Sequence, residues 1–272
     1  LDVMKENQSL SDLTSNLIKK INLDLEKFIP DLLIVQGDTT TAFVGALAAF
    51  YKKIPIAHVE AGLRTNNLFD PFPEEANRRL ISQIAELHFA PTEAAKSLLE
   101  QNGINRKVYL TGNTVIDALN FISKRAKKPE INGVDFKKHS LILLSVHRRE
   151  NWGENILNII KGIEIILKTN RDIAFIIPMH PNKIVRGPII DALSTKERVF
   201  LLEPLRYDLL VGIMKECKLI LTDSGGIQEE APGLGKPVLV LRNFTERMEA
   251  INAGTAKLIG TDPSKIASIT NL

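Results

Sequence analysis

Residues 218–238 read KLILTDSGGIQEEAPGLGKPV. Leu219-Ile220-Leu221 is a short apolar run of the kind that fills a buried strand. It stops at Thr222-Asp223-Ser224-Gly225-Gly226, and a helix-forming stretch, Ile227 to Ala231, follows at once. Val238-Leu239-Val240-Leu241 then restores a strand. Strand, small-residue turn, helix and strand make a βαβ unit, which implies a parallel sheet. Ser224 stands where it would cap the helix, and the two glycines let a ligand approach the backbone closely. Unsatisfied N–H groups and the positive end of the helix dipole favour an anion at such a place, most often phosphate. Glu229 and Glu230 follow further along the helix, where a carboxylate can accept hydrogen bonds from sugar hydroxyls. Gly-Gly could equally do no more than tighten a strand-to-helix turn, so this stretch alone leaves the ligand open.

The same alternation runs along the rest of the chain. Leu10, Leu13, Leu17, Ile21, Leu25 and Phe28 recur at helical spacing and predict an amphipathic helix ended by Pro30. Strands are expected at 32–35, 54–59, 87–90 and 108–110, with helices at 39–51, 74–85, 92–102 and from Thr114 to about Arg125. Residues 124–139, KRAKKPEINGVDFKKH, are charged and broken by Pro129 and Gly133, which makes them the linker candidate. Beyond them, strands at 141–146, 173–177, 199–202, 218–221 and 238–241 alternate with helices at 154–168, 183–194, 207–216, at the Ser224 turn and from about Glu246. Alternating strands and helices imply parallel sheets covered on both faces. The expected fold class is α/β: a Rossmann-like lobe over 1–123, a linker over 124–139, and a second Rossmann-like lobe over 140–272, with a cleft between the two.

Of the 272 residues, 44% are hydrophobic and 25% charged, a globular balance that can bury two cores. A net charge of +3 is too small to imply nucleic acid, and the aromatics are not interleaved with basic residues as on a stacking platform. A small anionic ligand suits this mild basicity. No uninterrupted apolar run is long enough to cross a bilayer, and the start carries no signal-peptide pattern, so a cytoplasmic protein is expected. Cys217 is the sole cysteine and is expected in the core. Metal-ligand spacing is absent. The chain opens at Leu1 in mid-pattern, and we expect it to be a piece whose true N-terminus is missing.

In open α/β sheets, ligands bind beyond the carboxyl ends of the strands. There the unusual polar residues gather: Gln36-Gly37-Asp38-Thr39-Thr40-Thr41, His58-Val59-Glu60-Ala61-Gly62-Leu63-Arg64, His147-Arg148-Arg149-Glu150-Asn151, Met179-His180-Pro181 and the Asp223–Gly226 turn. Phe72 to Arg78 opens a helix close by in sequence. Arg148, His180, Arg247 and the Ser224 helix start suit a diphosphate. Asp38, Glu60 and Glu74, on the other lobe, suit a glycosyl group. Gathered carboxylates push each other's pKa upward, so one can serve as acid and another as base. That equipment breaks a sugar–phosphate bond or moves a proton on the ring.

Taken in order, QGDTTT at 36–41, HVEAGLRT at 58–65, PEEANR at 73–78, GNTVIDAL at 112–119, HRREN at 147–151 and TDSGGIQEE at 222–230 closely resemble the non-hydrolysing UDP-N-acetylglucosamine 2-epimerases. KPVLVLRNFTERMEA at 236–250 resembles them too, and the likeness covers nearly the whole chain. The resemblance implies a GT-B-like pair of Rossmann lobes and interconversion of UDP-GlcNAc with UDP-ManNAc, without nicotinamide or metal, by an elimination that leaves a 2-acetamidoglucal. It also implies a homodimer in the cytoplasm serving polysaccharide biosynthesis.

By the same resemblance, Asp38, Glu60 and Glu74 are catalytic carboxylates, with the order of base and acid open. His180 contacts the UDP phosphates and belongs to the catalytic set. Ser224, Gly225 and Gly226 form the diphosphate turn, Glu230 meets the ribose hydroxyls, and Arg247 is a further UDP-site arginine. Arg148 resembles a contact to a second, regulatory UDP-GlcNAc, against which stands an inter-lobe salt bridge involving Arg148 and Glu150. Glu203–Tyr207, on the uracil side, has no residue match. The alternatives weighed are a GT-B glycosyltransferase using a UDP-sugar, a hydrolysing 2-epimerase, and a UDP-sugar-binding fragment without turnover.

Overall fold

Leu141-Ile142-Leu143-Leu144 sends successive side chains to opposite sides of a strand, and all four are apolar, so the strand needs cover on both faces. In the computed structural model it has that cover. The structure describes residues 1–5, 8–65, 67–69, 71–105, 107–245 and 247–269. They divide into two compact units, Leu1–Thr114 and Val115–Leu272.

The first unit runs α1 (Leu10–Lys27), β1 (Leu33–Gln36), α2 (Thr40–Tyr51), β2 (Ile56–Val59), α3 (Glu74–Ile84), β3 (Leu87–Ala90), α4 (Glu93–Gln101) and β4 (Val108–Leu110). The four strands form a parallel sheet in the order β1-β2-β3-β4. Its helices start as their sequences dictate. Ser9, Thr39 and Thr92 each accept a hydrogen bond from a first-turn N–H, satisfying one of the orphan donors. The alanine-rich α2 lets its neighbours approach closely and buries Ala42, Val44, Ala46, Ala48 and Ala49.

The second unit opens with α5 (Thr114–Ser123), whose first residue closes the first unit. It continues with β5 (Ser140–Ser145), α6 (Glu154–Thr169), β6 (Ile173–Pro178), α7 (Lys183–Leu193), β7 (Val199–Leu202), α8 (Tyr207–Glu216), β8 (Leu219–Thr222), α9 (Gly225–Gly233), β9 (Val238–Val240), α10 (Met248–Asn252), β10 (Ala256–Leu258) and α11 (Pro263–Ile269). The strand order is β10-β9-β8-β5-β6-β7, all parallel. Ile142, Leu144, Phe175 and Ile177 face a core shared with α6, α7 and α11, while Leu141, Leu143, Ala174 and Ile176 face one shared with α8 and α9. Cys217 is buried in the latter, where burial pushes its thiol up to about 12. Residues 124–139 lay Ile131, Val134 and Phe136 against that same core.

Among the described residues, β10, α11 and a 3-10 helix at Arg149–Asn151 lie outside the sequence expectation. The helix expected from about Glu246 starts there at a residue outside the described ones, and α10 is Met248–Asn252. Among the described residues no helix is long and apolar enough to cross a membrane.

Candidate active site

In the second unit, β5, β6 and β8 lie side by side, so the residues after their carboxyl ends share one edge. Asp223, fully buried beyond β8, organises it. Its carboxylate accepts from the His147 backbone N–H (3.0 Å to each oxygen), the Arg148 N–H (3.0 Å) and Asn151 Nδ2 (2.9 Å). The turn after β5 is thereby tied to the turn after β8. His147 Nδ1 lies 3.4 Å from the same carboxylate, and its ring stacks on His180 at 5.6 Å between centroids. Burial lowers the His147 pKa, with Asp223 opposing the shift. His180 is exposed, and its Nδ1 accepts from the Asn182 N–H at 3.1 Å. With Nδ1 accepting, Nε2 is the ring nitrogen left to donate.

Ser224 occupies the N-cap position of α9, but its hydroxyl makes no capping bond, contrary to expectation. Its own N–H is taken by Thr222 Oγ1 at 2.9 Å. The helix begins two residues earlier than Ile227, because glycine is tolerated in a first turn whose N–H groups have no intrahelical partner anyway. Those N–H groups are what an anion can use. Gly225 leaves room for Arg247: a Cβ there would stand 2.8 Å from the guanidinium, which would have to shift. Arg247 is held by Glu229 (Nε to Oε1, 2.8 Å), and its backbone N–H by Thr245 Oγ1 at 3.2 Å. Glu230 is buried and accepts from Tyr207 Oη at 2.9 Å. Burial raises the Glu230 pKa, with the tyrosine bond opposing, and burial followed by the Glu230 bond raises the tyrosine's.

Arg148 contributes its backbone to Asp223, while its side-chain Nε is buried without a hydrogen-bond partner among the described residues. Glu150 pairs with the buried Arg242 of its own unit.

In the first unit, β1 and β2 are neighbours, which sets Asp38 and Glu60 at adjacent strand ends. Glu60 adopts φ +62°, a left-handed conformation that few non-glycine residues take and that marks a constrained position. Its Oε1 accepts from Gln36 Nε2 at 2.7 Å. Asp38 forms an ion pair with Arg78 of α3. Arg78, fully buried, also holds Glu75 (3.0 Å) and the Leu63 carbonyl (3.2 Å). Asn77 Nδ2 donates to the Asp38 carbonyl at 2.9 Å. The first turns of α3 are thus docked on the Asp38 turn, which brings Glu74 to that edge. Glu74 is half-buried, and its side chain makes no hydrogen bond or ion pair among the described residues.

Glu75 is the carboxylate the sequence reading passed over. It is fully buried and accepts from Arg78, from Arg79 Nε at 2.7 Å and from the Thr65 N–H at 3.0 Å. Its spacing to Arg78 (i,i+3) and Arg79 (i,i+4) was the available signal. His58, in HVEAGLRT, is structural: its Nε2 donates to the Gly37 carbonyl at 2.8 Å, and burial depresses its pKa to about 4. Arg64 donates to the Leu63 carbonyl and Ser82 (2.8 Å each), and burial lowers it to about 10. His147 and Asp223 had no role assigned from sequence, nor had Tyr207, although each stands within a motif singled out there.

A family model described as UDP-N-acetylglucosamine 2-epimerase matches residues 1–271. The UDP-N-acetylglucosamine 2-epimerase of Neisseria meningitidis is 50% identical over 98% of this chain and 74% of its own length. That of Bacillus subtilis is 47% identical over 98% and 70%. Among solved structures, the N. meningitidis UDP-GlcNAc 2-epimerase bound to UDP-GlcNAc superposes with a TM-score of 0.95 at 49% identity, covering 99% of this chain and 75% of that one. The Methanocaldococcus jannaschii UDP-GlcNAc 2-epimerase in complex with UDP-GlcNAc and UDP gives 0.87 at 37%, covering 98% and 75%. An α,α-trehalose 6-phosphate synthase from Burkholderia multivorans, at 10% identity and TM-score 0.61, shares the fold alone, which is GT-B-like. The chain belongs to the UDP-N-acetylglucosamine 2-epimerase family.

Proposed function

We propose that this protein interconverts UDP-N-acetylglucosamine and UDP-N-acetylmannosamine without hydrolysis. The C2–H of the sugar is not acidic, since no adjacent carbonyl stabilises a carbanion. Bond breaking must be driven by departure of UDP, with positive charge developing at C1. Electrons of the C2–H bond then form the C1–C2 double bond of a 2-acetamidoglucal as a carboxylate takes the proton. Re-addition of UDP at C1, with a proton delivered to the opposite face of C2, gives the epimer.

Residues of the second unit take the nucleotide. His180 Nε2–H, the first N–H groups of α9 and Arg247 stabilise the departing diphosphate, as preorganised donors do when charge develops. Glu230, fixed by Tyr207, meets the ribose. Arg148 contributes a further contact to a UDP-sugar. Residues of the first unit supply the proton chemistry. Two faces of C2 require two groups, and Asp38 and Glu60 fit that need because each is aimed by its own partner, Arg78 and Gln36 respectively. Glu74 is the third carboxylate of the set. That pair of separately held carboxylates at adjacent strand ends carries the proposal, since a glycosyltransferase of the same fold has less use for it. The physiological setting we propose is a cytoplasmic homodimer supplying sugar for polysaccharide.

The test is to incubate the protein with UDP-GlcNAc and separate the products. UDP-ManNAc in equilibrium with substrate is expected. Free ManNAc and UDP as the accumulating products would replace the proposal with a hydrolysing reaction, and turnover only with an added sugar acceptor would replace it with a transferase.

A further inference from the structure

Three polar residues stand in a row on α9, Gln228-Glu229-Glu230, and of these Gln228 has been given no task. It is fully buried, where an amide needs its hydrogen bonds. Its Nε2 donates to the Ser224 carbonyl at 3.2 Å, and its Oε1 accepts from Thr245 Oγ1 at 2.7 Å, a hydroxyl that is buried too. Thr245 Oγ1 in turn accepts from the Arg247 backbone N–H at 3.2 Å. The chemistry of these groups allows one orientation. A carbonyl only accepts, so Gln228 turns its NH2 to Ser224 and its oxygen to Thr245. That oxygen also only accepts, so it takes the single hydroxyl proton of Thr245. The hydroxyl lone pairs are then left to the Arg247 N–H, which can only donate.

We infer that Gln228 and Thr245 are positioning residues: their one-way relay sets Arg247 against the start of α9, so that its guanidinium and the first helical N–H groups meet one diphosphate. This rests on the proposed place of Arg247 in the UDP site. Two consecutive helix residues hold the two ends of one arginine. Gln228 holds its backbone by way of Thr245, and Glu229 holds its Nε at 2.8 Å. Gly225, in the first turn of the same helix, leaves the guanidinium its room. The relay thereby joins the turn after β8 to the loop after β9, two segments that each bring donors to the site. Donors held at the right separation before the ligand arrives lose less freedom on binding, so the gain appears as affinity for the nucleotide. A role in helix packing alone would leave the contribution of Arg247 independent of Thr245.

Calorimetry with UDP tests this through a double-mutant cycle of Thr245→Val, which keeps the side-chain shape and removes the hydroxyl, and Arg247→Ala. Thr245→Val alone should weaken UDP by roughly threefold to tenfold, the worth of one hydrogen bond. In the Arg247→Ala background it should cost nothing further. Thr245→Ser, which keeps the relay, should bind UDP as the unsubstituted protein does. Equal weakening by Thr245→Val in both backgrounds would mean a general structural role and would overturn the inference while leaving Arg247 in the UDP site. If Arg247→Ala leaves UDP affinity unchanged, the assignment of Arg247 to that site falls, and the inference with it. Amide hydrogen exchange in the ligand-free protein supplies a second arm that does not depend on UDP. The Arg247 amide should exchange slowly in the unsubstituted protein and in Thr245→Ser, and faster in Thr245→Val. Rapid exchange of the Arg247 amide in the unsubstituted protein would overturn the inference whether or not the variants fold.

Discussion

Arg78→Met would leave Asp38 and the fully buried Glu75 without the guanidinium that now joins them. Removing one partner of a buried ionic network strands the charge that remains, at a cost of about 3–5 kcal/mol. Urea unfolding should report a loss of that size, and a loss under ~1 kcal/mol would show that Arg78 is not the keystone of this edge. Glu74→Gln makes the contrast. The Glu74 side chain is bonded to nothing among the described residues, so its stability effect should stay within about 1 kcal/mol, mostly its interaction with the start of α3. Turnover should nevertheless fall if it is one of the working carboxylates. The sequence displayed Asp38, Glu60 and Glu74 clearly, because charged residues at strand ends stand out against apolar runs. It hid Glu75 and Arg78, since a helix-opening Glu-Glu and a helical arginine look like a solvated face. Only their one-turn spacing hinted that they bury each other.

At the scale of elements, α9 shows how a motif can be legible while its details are not. The strand, turn, helix and strand between 218 and 240 follow from the order of apolar and small residues. What could not be read was which glycine matters. Gly225 faces Arg247 and Gly226 faces open space. Gly225→Ala should push the flexible Arg247 guanidinium off its place beside Glu229 at little expense in stability. UDP affinity should fall by about tenfold or more as a charge-assisted contact is lost, while Gly226→Ala should be milder. Calorimetry on the two variants decides it, and equal effects would show that Arg247 plays no part in binding. The unexpected elements failed for ordinary reasons. β10 is three residues with an exposed lysine at its centre, too short for alternation to register. α11 is seven residues, although Asp262 capping Lys265 N–H at 2.7 Å and Pro263 at its start were signals present in the sequence.

At the scale of the whole molecule, each unit has its own core and its own parallel sheet, and each should respond to conditions in its own way. His58 makes the first unit acid-sensitive. Its pKa falls from an ordinary 6.5 to about 4, chiefly through burial, so the unfolded chain binds a proton over that interval and the folded one does not. Stability therefore drops as pH falls from 6.5 toward 4, by about 1.4 kcal/mol for each pH unit crossed. Thermal unfolding followed between pH 7 and pH 5 should show that decline, and His58→Gln, which can still donate to the Gly37 carbonyl, should flatten it. An unchanged slope in the variant would place the acid sensitivity elsewhere. Two α/β units were legible from alternation alone, because strand and helix periods differ so plainly. The chemistry became legible only when strand ends were compared with one another.

The central claim, that UDP leaves and returns while C2 gives up and regains a proton, is tested most directly by incubating the protein with UDP-GlcNAc in D2O and following it by proton NMR. Deuterium should replace hydrogen at C2 as UDP-ManNAc appears, and Glu60→Gln should suppress that exchange while UDP still binds. UDP-ManNAc that retained the C2 proton, or complete retention with no second UDP-sugar formed, would contradict the account.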